Sequence, residues 1–277
     1  MSSIDEYMKN TQIDEQIHKF KLKKRVTLIV KITAVIIIVF SLILFVYEMI
    51  IFVKKASVFS INNVIVKGNM ILTAKDIFEI GELDRNKNIF RIDLKQLRDR
   101  LELHPLIKQA VVSRRLPDKL IITIQERHGI ALINVQQSDF ISHLYEVDND
   151  GYIIAEDNNI VNIDKPVITG MNNITVIPGE KITNSRVLKV LSLLEKVSKE
   201  IYLFNRLISE INVSRRYTDI EYTLIMDKWN FPVYMGKEIN LVKFFKLNAL
   251  LMALGNKLYD IEYIDFKYND AVGKFKS

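Results

Sequence analysis

The chain has 277 residues, with 39 Lys or Arg against 33 Asp or Glu, a formal net charge of +6. That excess is too small and too mixed in sign to argue for nucleic acid; a solvated surface is the expectation, with an anionic membrane surface or polymer the alternative. Cysteine is absent, which excludes disulfides, thiolate nucleophiles and zinc–cysteine sites.

Residues 1–20 are polar with scattered Ile4, Tyr7, Ile13 and Ile17. A flexible tail or a short interfacial helix is expected there. The next stretch, "KLKKRVTLIVKITAVIIIVFSLILFVYEMIIFVKK", carries one charge between residues 32 and 53, Glu48. As a helix those residues reach about 33 Å, matching the roughly 30 Å apolar thickness of a bilayer. Lys31 can snorkel its amine to the interface. A cleaved signal peptide would show a shorter apolar run followed by small residues, whereas Phe52, Val53, Lys54 and Lys55 follow here. An uncleaved transmembrane helix over 26–53 is therefore predicted. The basic cluster Lys19, Lys21, Lys23, Lys24 and Arg25 predicts a cytoplasmic tail, residues 1–25, with the rest of the chain outside.

Beyond the span, "VFSINNVIVKGN" alternates apolar residues and ends on Gly68-Asn69, which reads as a strand and a turn. Thr73 stands three residues before Asp76, the spacing of a capping box, and opens a helix with Ile77, Phe78 and Ile80. Gly81 is placed to end it in the left-handed conformation. Asp93 and Gln96 repeat the signal before Leu94, Leu97 and Leu101, and His104-Pro105 stops that helix. Residues 109–116 and 119–127 read as two strands around a Pro117-Asp118 turn, with Leu120, Ile122 and Ile124 pointing one way. The order strand, helix, helix, strand, strand makes a small two-layer domain over 57–127. Arg114, Arg115 and Arg127 are expected on its solvent face or rim. No aromatic side chain interleaves with them, so base stacking has no support.

From residue 128 to 277 the pattern is mainly strands: "IALINV", "HLYEV", "YIIAE", "RLISEINV", "DIEYTLIM" and "FPVYMG". Two helices interrupt them. Val187, Val190, Leu191, Leu194 and Val197 mark one; Leu241, Phe244, Phe245, Leu251 and Met252 mark the other, and both sets are expected in the core. The end reads "IEYIDFKY", an Asn269-Asp270 turn, and "AVGKFK". The fold class is α+β: one transmembrane helix, a β-α-α-β-β domain, and a second mixed α+β domain with a curved, mainly antiparallel sheet.

Motifs for chemistry are weak. Glu146, Asp148, Asp150, Gly151 and Asp157 fall at calcium-loop spacing, yet the first and last positions carry the wrong acids and the flanks read as strands. A turn at Asn149-Asp150-Gly151 is the expectation, with calcium the alternative. His18, His104, His128 and His143 show no metal-ligand spacing in sequence. There is no nucleophile elbow, no S-x-x-K box and no phosphate-binding glycine loop. Neither an enzyme nor a cofactor, metal, nucleic acid or small-molecule substrate is predicted.

The stretch "FSINNVIVKGN…LTAKDI…NIFRIDLKQLRDRLELHPLIKQAVVSRRLPDKLIITIQER" resembles a POTRA (polypeptide-transport-associated) domain. With the span before it, and with "LYEVDNDGYII", "KPVITG", "VYMGKE" and "YIDFKYNDAVGKF" after it, the chain is similar to the bacterial division family FtsQ/DivIB. The resemblance implies a noncatalytic scaffold at the division septum. Its implied partners are FtsB (DivIC)-like and FtsL-like proteins, a septal peptidoglycan synthase and the lipid bilayer. It also implies partner contacts through the terminal strands, which carried over by match are Phe266, Tyr268, Val272, Gly273 and Phe275. A POTRA protein of envelope assembly or secretion is the alternative, although such proteins normally carry a membrane β-barrel that about 150 residues with two helices cannot supply.

Overall fold

A computed structural model describes residues 2–84, 87–136, 142–172, 174–201, 203–216, 219–268 and 270–276. The chain divides into two compact units, residues 1–63 with 85–92 and 115–119, and residues 64–84 with 93–114 and 120–277.

The first unit is dominated by helix α1, Ser2–Lys55. It has no Gly or Pro in its 54 residues, so nothing in the backbone interrupts it. The helix runs through the polar N-terminal residues, where a tail or a short separate helix was the expectation. Its segment Lys23–Lys55 is long and apolar enough to cross a membrane, and none of its most apolar window is buried by the rest of the protein. The last carbonyls of any helix lack intrahelical donors. Here the Asn88 side-chain amide donates to the carbonyls of Val53 at 3.0 Å and Ala56 at 3.3 Å. Asn88 Oδ1 accepts from the Phe90 N–H, and the Phe59 and Phe90 rings meet edge to face at 5.2 Å. The exit from the apolar helix is thereby tied to the 85–92 segment.

The second unit begins with a three-stranded sheet ordered β1-β3-β2, from β1 (Asn63–Lys67), β2 (Ile107–Arg115) and β3 (Lys119–Glu126). Helices α2 (Ala74–Ile80) and α3 (Leu94–Glu102) lie between β1 and β2 in sequence. The Thr73 hydroxyl accepts from the Asp76 N–H while the Asp76 carboxylate accepts from the Thr73 N–H, the predicted capping box. Gly81 departs from expectation: it is right-handed at φ −72°, and Glu82 takes the left-handed conformation at φ 47°. Gly68 has the stricter need, because at φ +79° a β-carbon would stand 2.1 Å from the Ile124 carbonyl oxygen. Leu97, Leu101, Ile107, Leu120, Ile122 and Ile124 are buried, the alternation expected of β3. Glu126 continues that inward face and is also buried; its two carboxylate oxygens accept from the N–H groups of Ile71 at 2.7 Å and Leu72 at 2.9 Å. A buried charge is tolerable only with such partners.

A nine-stranded sheet follows, ordered β12-β11-β10-β9-β8-β7-β4-β5-β6. Its strands are β4 (Gly129–Gln136), β5 (Ser142–Asp148), β6 (Ile153–Glu156), β7 (Val167–Asn172), β8 (Ile208–Arg216), β9 (Asp219–Met226), β10 (Pro232–Gly236), β11 (Ile261–Asp265) and β12 (Val272–Phe275). Most neighbours are antiparallel, as expected, but β4–β7, β7–β8 and β10–β11 are parallel. Strand β7 is absent from the strands predicted by alternation. Helix α4 (Ser185–Glu200) buries all five of its predicted core residues, which join Ile133, Val135, Ile211, Val213, Leu224 and Val233 of the sheet. Helix α5 (Leu241–Leu254) buries Phe244, Leu247 and Leu251. Its Phe245 and Met252 are exposed, correcting the expectation that they are core. The helix is apolar on more than one side, so spacing alone does not say which side faces inward.

Candidate partner-binding strands

The β12 strand is the outer member of the nine-stranded sheet, held antiparallel to β11 with Asp265 opposite Val272, Ile264 opposite Gly273 and Ile261 opposite Phe275. Its far edge has no neighbouring strand among the described residues. An outer strand offers unpaired main-chain donors and acceptors to any extended segment of another chain. All four of its residues are exposed. Charge secures it at the rim: Lys274 Nζ lies 2.8 Å from Glu262 Oε2, which raises the lysine pKa through hydrogen bond and charge together. The Lys276 N–H donates to the Asp260 carbonyl at 2.7 Å.

The five residues assigned to this region by resemblance divide into two kinds. Tyr268 is 79% exposed, Val272 60% and Phe275 49%, three large apolar or aromatic surfaces at one end of the sheet. Tyr268 is therefore not a core tyrosine. Gly273 is exposed too, and a β-carbon there would meet nothing within 4 Å, so the chain's own packing does not require glycine. Phe266 differs: its side chain is buried in the core and its N–H donates to the Tyr234 carbonyl, so its side chain packs inward beneath the strands. The expected Asn269-Asp270 turn includes Asn269, which lies outside the described residues.

Beside Tyr268 is a cleft of about 620 Å³ whose walls include Glu221, Lys237, Lys243 and Lys267. Lys243 donates to the carbonyls of Met235 and Glu238, and burial pushes its pKa below the usual lysine range. Lys237 moves the other way because it donates to Asp219, 2.6 Å away. Lys267 places its ammonium 5.3 Å from the centre of the Tyr234 ring. Sequence spacing gave no indication of this cleft, since its walls come from β9, the end of β10, the turn before α5, the first turn of α5 and the segment after β11.

The stretch that resembled a calcium loop is a β5–β6 hairpin. Gly151 sits in its turn at φ +88°, and Asp148 Oδ1 accepts from the Asp150 and Tyr152 N–H groups. The acids face separate cations: Glu146 meets Lys165 at 2.9 Å, Asp148 meets Arg127 at 2.7 Å, and Asp150 meets Lys108 at 2.6 Å. Arg127 is thus not the rim residue expected. Its guanidinium side chain is only 11% exposed, lies 3.7 Å from the Tyr152 ring centre, and pairs with an Asp148 side chain that is 2% exposed. Arg114 and Arg115 are on the surface as expected. Arg127 and Lys108 connect the three-stranded sheet to the β5–β6 hairpin across the two-residue junction between β3 and β4.

An apolar helix long enough to cross a membrane thus precedes a β-α-α-β-β domain and a larger β-rich domain with an open terminal edge, the order seen in POTRA-containing proteins. Residues 59–127 match the family model for the POTRA domain, FtsQ-type. The chain is 28% identical to the cell division protein FtsQ of Syntrophotalea carbinolica over 75% of this chain and 70% of that one. It is 28% identical to the cell division protein DivIB of Clostridium tetani over 46% of each chain. To the DivIB of Clostridium acetobutylicum it is 26% identical, over 77% of this chain and 82% of that one. The FtsQ/DivIB resemblance thus holds over most of the chain.

Proposed function

We propose that this chain acts in bacterial cell division as a noncatalytic holder of other division proteins. The cell division role follows from the relatives it resembles. The observation that carries the holding role is the outer strand β12, fully exposed, flanked by Tyr268 and Phe275. In this reading α1 is a single-pass anchor with its N-terminus in the cytoplasm, because basic residues precede the span and long following domains are exported regardless of charge. The exported part works at the division septum. An FtsB (DivIC)-like partner adds a strand to β12, its side chains meeting Tyr268, Val272 and Phe275. An FtsL-like protein and a septal peptidoglycan synthase join the same assembly, the former through helices packed beside α1 in the bilayer.

Proline at Val272 removes a main-chain N–H and blocks the ladder on one side of a short outer strand. Val272→Pro in the intact chain is expected to abolish capture of the FtsB-like protein in a detergent pull-down while leaving the melting temperature of the exported domains within a few degrees. Undiminished capture by this variant contradicts strand addition.

A further inference from the structure

We propose that His143, Glu156 and Asp157 form a surface site for one divalent transition-metal ion of the zinc type. The three residues come from both strands of the β5–β6 hairpin and the residue that follows it, so their spacing in sequence hides them. His143 Nδ1 is 2.7 Å from Asp157 Oδ2 and 3.6 Å from Glu156 Oε1. One ligand atom from each residue lies within 4.8 Å of the other two. A tetrahedral ion with ligands about 2.1 Å away sets those ligands about 3.4 Å apart, a separation these side chains reach by small rotations.

Two features separate this cluster from an ordinary histidine–carboxylate hydrogen bond. The first is charge. The other acids of the same hairpin are each neutralised by Lys165, Arg127 or Lys108. Among the described residues, the only ion-pair partner of Glu156 and Asp157 is the one imidazole of His143. Two carboxylates beside one imidazole, which can carry at most a single positive charge, leave a local negative charge that a divalent cation offsets. The second is orientation. Asp157 Oδ1 accepts from the Leu144 N–H at 2.8 Å, which fixes the carboxylate with its other oxygen toward His143, the outer-shell support that metal ligands use. The side chains of His143, Glu156 and Asp157 are all partly open to solvent, so water can complete the coordination. An imidazole with two carboxylates suits zinc and its first-row neighbours, whereas calcium and magnesium prefer oxygen alone. This site shares Asp157 with the calcium-loop pattern but takes its other ligands from His143 and Glu156, and it does not depend on the partner-binding reading.

The test is calorimetric titration of the intact chain in detergent, stripped with chelator and dialysed, with zinc chloride and then with calcium chloride. The expected result is one equivalent of zinc bound and no saturable heat from calcium. His143→Ala and Asp157→Asn should each weaken zinc binding at least tenfold; Asn suits position 157 because its φ is 43° and Asn adopts such angles more readily than most residues. If His143→Ala does not fold, Glu156→Gln at the exposed strand end decides, with the same weakening expected. Absence of saturable zinc heat, or wild-type affinity in the folded variants, overturns the proposal.

Discussion

Arg127 shows what a single residue can hide. Its place at the end of an alternating strand reads as a solvent-facing cation, yet it is nearly buried between Asp148 and the Tyr152 ring. Alternation identified Leu120, Ile122 and Ile124 as inward because nothing else competes for that face. It said nothing about a residue beyond the strand's end, whose neighbours come from a hairpin some 20 residues later. Removing one member of a buried pair leaves the other charge without compensation, at a cost of about 3–5 kcal/mol. Arg127→Ala is expected to lower the stability of the domains that follow α1 by about 3 kcal/mol in urea unfolding. A loss under about 1 kcal/mol would mean that Asp148 is satisfied without it. Tyr268 makes the complementary point. A tyrosine suits a core or a surface position, yet Tyr268 is 79% exposed while Phe266, two residues before it, is buried.

Among the elements, local signals worked where the chain supplies its own chemistry. The Thr73–Asp76 capping box, the Asp93 cap and the β5–β6 turn all depend on residues two to four apart, and each forms as read. Asp76 is held below the usual carboxylate range chiefly by the Thr73 N–H, so this cap contributes above pH 3.8 and weakens as pH falls below it. Elements set by distant partners were less legible. Strand β7 lies between two parallel neighbours, and its sequence Val-Ile-Thr-Gly-Met-Asn carries no regular apolar–polar alternation; Gly170 is required there because a β-carbon would stand 2.5 Å from the Val213 carbonyl oxygen. Helix α5 was found but its inward side was not. Leu247 is fully buried and Met252 is 75% exposed. Leu247→Ala is expected to cost about 2–5 kcal/mol, and Met252→Gln under about 0.5 kcal/mol, by chemical denaturation. Equal costs for the two would show that α5 faces the sheet differently.

For the molecule as a whole, composition carried most of the reading. An apolar stretch without Gly or Pro offers no break to a helix, and its length is enough to cross a membrane. The order of elements in residues 57–127 was recoverable because each is punctuated by Gly, Pro or a cap. The strand order of the larger sheet was not, since three parallel pairings join segments far apart in sequence. The proposed partner site depends on that order: the main-chain groups that β12 leaves open are set by its place in the sheet, and no local pattern states that place. Photo-crosslinking in living cells addresses this directly, with a photoreactive residue placed at Tyr268, Val272 or, for comparison, Lys75 on α2. The account predicts that positions 268 and 272 capture a single-span division protein and that position 75 does not. Capture of that protein from position 75 alone would contradict it.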